Sequence, residues 1–278
     1  MRPWRHGTGA ALALLLLLAG SAGAADSDSK APAPPPHVAA CARAANFRTI
    51  VDVGHTADVP GALSARGLTE YEFNLALATE IDKELRAAGF DKTVLMITAE
   101  KPPAGLFRRA AKANGLKADL FLSVHHDAVP ESFLETWQVA GLVQHYSDRF
   151  PGHSLFISND NADRAGSLAF GRLIGEALEA RGLHYTPHYT EKYMGHRRRE
   201  LIDAKAGVYR YDQLIVLKDT RMPAVLLEAG SIVNRSEELL LETPEHQAIM
   251  AGAVVEAVDA FCATRSKPSR GPVVAKKH

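Results

Sequence analysis

The sequence predicts an α/β fold: a mostly parallel, twisted sheet of about six strands with helices on both faces, in a single domain. Three observations carry this. Short apolar runs alternate with stretches of helical period. The runs are continuously apolar, as in strands buried on both faces by crossover helices. Polar residues suited to chemistry stand at or just after the ends of these runs, where the sites of open parallel sheets form.

The elements follow in chain order. Residues 48–53 read as a buried strand. Residues 69–89 read as a helix, with Phe73, Leu77, Ile81 and Leu85 repeating at four and Gly89 as its stop. A second strand is expected over 93–98, a short helix over 106–114 and a third strand over 119–124. Residues 161–181 form a helix with Phe170, Ile174 and Leu178 on one face. Two further strands are expected over 214–217 and 224–228. Pro244 opens the last helix, whose buried side carries Met250, Val254, Val258 and Phe261. The stretches 129–158 and 184–211, rich in His, Tyr and charge, read as loops or inserts around a site.

The amino terminus addresses the compartment. Arg2 and Arg5 precede a leucine-rich run over 10–19, and Ala22-Gly23-Ala24 supplies small residues for cleavage. This is the layout of a secretory signal peptide over 1–24. The run is about half the length of a spanning helix, and no later stretch is expected to span a bilayer. The protein is therefore expected to be exported, with the periplasm favoured over the exterior. Removing 1–24 leaves 30 basic and 32 acidic residues, a net of −2, so nothing suggests a nucleic-acid partner. A flexible Pro-rich tether is expected over 25–44, a catalytic domain over 45–264 and a basic flexible tail over 265–278. Export makes a disulfide between Cys41 and Cys262 chemically permissible. Two unpaired buried thiols are the alternative.

Four positions could carry chemistry. His55 directly follows the first strand, after Gly54, which lets the backbone turn sharply. Glu70 begins a helix in which Thr69 and Glu72 form a capping box, leaving Glu70 without a capping task. His125 and His126 end the third strand; neighbours on an extended chain point opposite ways, so at most one of them enters a given site. Glu228 ends an apolar strand, a costly place for an unpaired carboxylate. Taken singly, each has an ordinary reading as a loop histidine, a helix-dipole acid or a strand-end ion pair. Together, two histidines and a glutamate form a known catalytic zinc set with one position open to water. The spare glutamate can then move the water's proton.

The pattern resembles the zinc amidase family called amidase type 3, over about 49–261. The matching marks are Ile50-Val51-Asp52-Val53-Gly54-His55, Glu70 with Asn74, Leu120-Phe121-Leu122-Ser123-Val124-His125, and Val225-Leu226-Leu227-Glu228-Ala229-Gly230 with Asn234. The resemblance implies one Zn2+ per chain held by His55, Glu70 and His125, with Glu228 catalytic. It also implies hydrolysis of the amide between N-acetylmuramic acid and L-alanine in peptidoglycan or its muropeptides. His126, Asn234 and Arg198 are the candidate substrate contacts. The sequence departs from the family at His55-Thr56-Ala57-Asp58, His126-Asp127 and Gly230-Ser231-Ile232, which bears on substrate fit more than on the metal. Some relatives plug the site with an inserted helix until an activator protein withdraws it. Residues 191–206, with Glu200 as the plug, are the candidate segment. Its run His196-Arg197-Arg198-Arg199 reads equally as a solvated basic loop or as a partner for peptide carboxylates. A zinc peptidase cutting within the stem peptide and a non-catalytic wall-binding protein are the rival readings.

Overall fold

The computed structural model describes residues 37–266. Its main sheet has seven strands in the order β2-β1-β3-β9-β6-β8-β7, and β4 and β5 form a separate hairpin. The strands are β1 (Thr49–Val53), β2 (Val94–Met96), β3 (Leu120–Asp127), β4 (Glu135–Val139), β5 (Leu142–Tyr146), β6 (Ser154–Ile157), β7 (Glu200–Asp203), β8 (Val208–Arg210) and β9 (Ala224–Ser231). From β2 to β9 every pairing is parallel, whereas β6 pairs antiparallel with β9, and β7 antiparallel with β8. The helices are α1 (Glu70–Ala87), α2 (Ala104–Gly115), α3 (Arg164–Glu179), α4 (Ile215–Lys218), α5 (Arg235–Leu241) and α6 (Pro244–Ser266).

Strand alternation decides which side receives the chemistry. One face of β1, β3 and β9 buries Val51, Val53, Leu122, Val124, Val225 and Leu227 in a core shared with α1, α3 and α6. The other face buries Ile50, Phe121 and Leu226 in a second core shared with α2 and α4. Asp52, Ser123, His125 and Glu228 have the parity of this second face.

Helix α1 shows the balance of forces. Thr69 caps it, accepting a hydrogen bond from the Glu72 backbone N–H, while the Glu72 carboxylate accepts from the Thr69 N–H at 2.8 Å. The cap stabilises by about 1 kcal/mol. Leu77, Ile81 and Leu85 are buried, and each contributes roughly 1.5–3 kcal/mol relative to exposure. Packing therefore outweighs the cap in stability, while the cap fixes where the helix starts and so where Glu70 stands.

Four expectations are corrected. Residues 214–217 were expected as a strand, but Ile215–Lys218 is a short helix; an apolar run of four lacks a period that separates the two. Residues 129–158 and 184–211 contain β4, β5, β6, β7 and β8, three of which complete the main sheet. The expected tether over 25–44 does not extend to its end. Ala40 and Cys41 donate backbone hydrogen bonds to Asp259 at 2.9 and 2.8 Å, and Cys41 is disulfide-bonded to Cys262. This also decides between bridge and free thiols. Finally, α6 is long and apolar enough to cross a membrane by length and composition, with mean hydropathy 1.3 over its best window. Its apolar side chains Met250, Val254, Val258 and Phe261 are buried in the core. The signal peptide expected over 1–24 and the end of the basic tail lie outside the described residues.

Candidate active site

The turn after β1 builds the first wall. His55 adopts φ 64°, a left-handed conformation that is uncommon for a residue with a side chain and typical of functional sites. Its backbone is held from below. The buried guanidinium of Arg109 on α2 donates to the carbonyl oxygens of Val53 and His55 and pairs with Asp52 at 3.0 Å. Ser123 donates to the other Asp52 oxygen at 2.8 Å. Burial raises the Asp52 carboxyl above its usual range, against the pull of Arg109.

Glu70 enters from the first turn of α1 and lies between two imidazoles. Its Oε2 is 2.9 Å from His55 Nε2, and its Oε1 is 2.9 Å from His125 Nδ1. Asn74, one turn on, donates to Glu70 Oε1 at 3.2 Å. Burial works against the ionised carboxylate, but the hydrogen bonds from His125 and His55 outweigh it and hold the carboxyl well below its usual range.

Two glycines make room for this group. A Cβ on Gly54 would sit 2.5 Å from the His125 ring. One on Gly61, at φ 82°, would sit 2.4 Å from Glu70 Oε2 and 2.9 Å from the His55 ring.

One donor atom from each of His55, Glu70 and His125 lies within 4.8 Å of the others, close enough to share a metal ion. Tetrahedral ligands at 2.0–2.1 Å from an ion are separated by about 3.4 Å, so small side-chain rotations suffice. The surrounding charge fits as well. The Glu70 charge raises the cost of ionising Asp127 and Glu228, and Asp127 adds to it at Glu228, with Arg197 the opposing cation. A divalent cation relieves that excess.

Glu228 stands on β9 opposite His125 of β3, its Cα partner in the ladder. The register shifts just beyond, between His125 and Asp127, a bulge of the kind that re-aims strand ends beside sites. Among the described residues, Glu228 Oε2 has no hydrogen-bond partner. Burial, then the charges of Asp127 and Glu70, push its carboxyl well above the usual range. Asp127 is pushed up to about 6 by burial, opposed by Arg197 and by the Tyr189 hydroxyl, which donates to it at 2.8 Å.

His55, His125 and Glu228 open onto one cavity of about 410 Å3. Phe156, Leu226 and Leu214 form its apolar wall; Tyr189, Arg197 and Arg199 form a wall supplied by the second insert.

The other candidates are placed elsewhere. His126 is buried on the opposite face, bonded to Asn74 Oδ1 at 2.8 Å, and burial pushes it down to about 3; it supports α1 and does not line the cavity. Asn234 accepts from the backbone of Ser236 and Glu237 and caps α5. Arg198 donates to the Thr190 carbonyl at 2.7 Å, outside the cavity that its neighbours Arg197 and Arg199 line. Glu200, the expected plug, is exposed on β7 and pairs with Arg210 at 3.1 Å. The 191–206 segment contains two tight helical turns and the edge strand β7, and His196, Arg197 and Arg199 of it line the cavity.

Sequence reasoning gave Asp52, Asp127, Arg109 and Tyr189 no role. A lone acid within an apolar strand was a usable sign for Asp52, because a buried carboxylate needs partners. Arg109 carried no such sign, since a charged residue on a short helix is ordinarily solvated.

Comparison with known proteins agrees with this geometry. The family model described as N-acetylmuramoyl-L-alanine amidase matches residues 49–260. The chain is 27% identical over 221 residues to the N-acetylmuramoyl-L-alanine amidase AmiC of Neisseria meningitidis, covering 77% of this chain and 52% of that protein. The chain thus spans about half the length of that relative. It is 26% identical over 228 residues to the uncharacterized protein YqiI of Bacillus subtilis, covering 81% of this chain and 91% of that one. In fold it is similar to the amidase Ami1 of Mycobacterium smegmatis, with TM-score 0.60 at 18% identity, covering 82% of this chain and 99% of that chain. With a family model spanning most of its length, the chain belongs to the N-acetylmuramoyl-L-alanine amidase family of type 3.

Proposed function

We propose that this protein is an exported, zinc-dependent hydrolase that cuts the amide between N-acetylmuramic acid and the L-alanine of the peptidoglycan stem peptide. The observation that carries this is the grouping of His55, Glu70 and His125, with His55, His125 and Glu228 of the neighbouring strand lining one cavity. Two imidazole nitrogens and one carboxylate oxygen are the donors of catalytic zinc sites with an open position. One ion per chain fits the single such group among the described residues.

A bound zinc ion would supply Lewis acidity toward the scissile carbonyl and make water more acidic. Glu228 is placed to do the proton work. Its unpartnered Oε2 takes a proton from the attacking water as the new C–O bond forms. The same carboxyl then gives that proton to the alanine nitrogen as the C–N bond breaks, releasing a muramic acid carboxylate and a free peptide amine. The Asp127–Tyr189–Arg197 group keeps the neighbouring charge fixed without occupying the cavity centre. Export, with the periplasm as destination, rests on the leader-like residues 1–24 and on a substrate that lies outside the cytoplasmic membrane.

Purified peptidoglycan digested with and without a zinc chelator, and analysed by mass, tests the proposal. Intact stem peptides beginning at L-alanine should appear, vanish on chelation and return with zinc. Cleavage inside the stem peptide would replace the amidase with a peptidase. Zinc-replete protein that binds peptidoglycan without turnover would make it a binding protein.

A further inference from the structure

The second insert brings two arginines to the cavity, and their circumstances differ. Arg197 is already engaged: its guanidinium lies 3.3 Å from Asp127 Oδ1 and donates to the Ala128 carbonyl at 2.8 Å. Arg199 is held rigidly but has no acid. Its backbone N–H donates to Tyr189 at 2.8 Å. Its Nη1 donates to the carbonyls of His196 and Arg198 at 2.8 and 2.9 Å. Its guanidinium carbon lies 3.8 Å from the centre of the Tyr211 ring. The buried Nε has no partner. Among the described residues no carboxylate pairs with Arg199, whereas Arg197, the other arginine lining the cavity, has Asp127.

With Nη1 already fixed, Nε and Nη2 form the fork left to match a carboxylate, and Nε, buried in this structure, has to be uncovered for a two-point contact. A buried donor left without an acceptor is destabilising, and an incoming carboxylate would relieve it. The same cavity holds His55, His125 and Glu228. Its volume, about 410 Å3, lies in the range of small-ligand sites, about 300–1,000 Å3.

We propose that Arg199, seated on Tyr211, is the receptor for a free carboxylate of the substrate's peptide, so that the protein selects stems with unblocked acid groups over amidated or cross-linked ones. This rests on the amidase reading for the identity of the peptide, and its test is independent of turnover. Calorimetry on the zinc-loaded full-length protein would compare alanyl-glutamate with its diamide. The wild-type protein should bind the acid at least tenfold more tightly than the diamide. Arg199→Met should bring that ratio close to one, and Arg199→Lys, which keeps the charge without the fork, should leave it intermediate. Equal binding of acid and diamide by the wild-type protein overturns the proposal, as does failure to bind either. So does an unchanged ratio in Arg199→Met. The wild-type comparison decides even if a variant does not fold. Cleavage of muramoyl peptides is read separately: acid preference without that cleavage would sink the amidase reading alone, and cleavage without acid preference would sink this inference alone.

Discussion

The two halves of the sheet are built differently. The parallel half, β2-β1-β3-β9, carries His55, His125 and Glu228 at its strand ends and receives Glu70 from the helix that follows β1. The mixed half, β6-β8-β7, and the inserts around it contribute no metal-ligand candidate; they contribute Tyr189, Arg197 and Arg199 to the wall. In the first half, chemistry is set by strand parity and one helix start. In the second, recognition depends on turns brought together from distant parts of the chain. Reactivity and selectivity should therefore separate by region when each is perturbed.

The largest expected effect lies in the parallel half. Glu228→Gln should lower kcat by about 10²–10⁴, the usual contribution of a positioned acid–base group, with zinc content and melting temperature close to wild type. Turnover within a few-fold of wild type would remove the reacting proton from this strand end and break the comparison.

A pair of glycines sharpens it next. Gly61→Ala should weaken zinc binding by about 10–100-fold, the size of effect expected when supports of metal ligands are disturbed. The new Cβ would meet Glu70 and His55. Gly141→Ala, at the tip of the β4–β5 hairpin and also at positive φ, has nothing within 4 Å. It should cost about 1 kcal/mol of stability from backbone strain and leave zinc affinity unchanged. Competition with a chromophoric chelator measures both; equal losses would mean that the two sites do not differ.

Both halves should contribute to acid sensitivity: His126 on β3, pushed down to about 3 by burial, and His153 beside β6 in the mixed half. Burial pushes His153 down to about 4, from about 6.5 when unfolded. The unfolded chain therefore binds this proton first, so the stability is complete above pH 6.5 and is lost as pH falls toward 4. The slope is up to about 1.4 kcal/mol per pH unit for one histidine. Urea midpoints for the wild-type protein and His153→Phe at pH 7.5 and 5.0 should differ less in the variant. Parallel pH responses would assign the acid sensitivity elsewhere.

The smallest effect concerns the wall. Tyr189→Phe deletes the donor to Asp127 at 2.8 Å, a hydrogen bond to a charged group worth about 1.5–3 kcal/mol at most. It should raise KM severalfold with zinc affinity unchanged. A loss of zinc instead would tie the wall to the metal group and blur the two regions.

How far the sequence was legible follows the same division. Strands β1, β3 and β9 were readable because runs such as Ile50-Val51-Asp52-Val53 are buried on both faces and stay apolar with few breaks. β6, β7 and β8 were not. Arg210 ends β8 and Glu200 opens β7, exposed charges that are acceptable in a short edge region and that read as loop. His125 and His126 separated as strand parity required, one toward the cavity and one toward Asn74. Of the three arginines Arg198 was the expected contact, whereas Arg197 and Arg199 line the cavity, because the direction of each side chain in 196–199 is set by tight turns that have no simple period.

Local pattern was enough for His55 and His125, the capped start that positions Glu70, the acid Glu228 within β9 and the resemblance to the amidase family. These depend on local rules: alternation along a strand, capping at a helix start and the cost of burying an unpaired charge. Only the tertiary structure decided that Arg109 and Asp52 brace the His55 turn, that Cys41 and Cys262 are joined, and that Arg199 reaches the cavity without an acid of its own. Each of these joins residues far apart in sequence, and their meeting depends on how the whole sheet and its inserts pack, which no local pattern encodes.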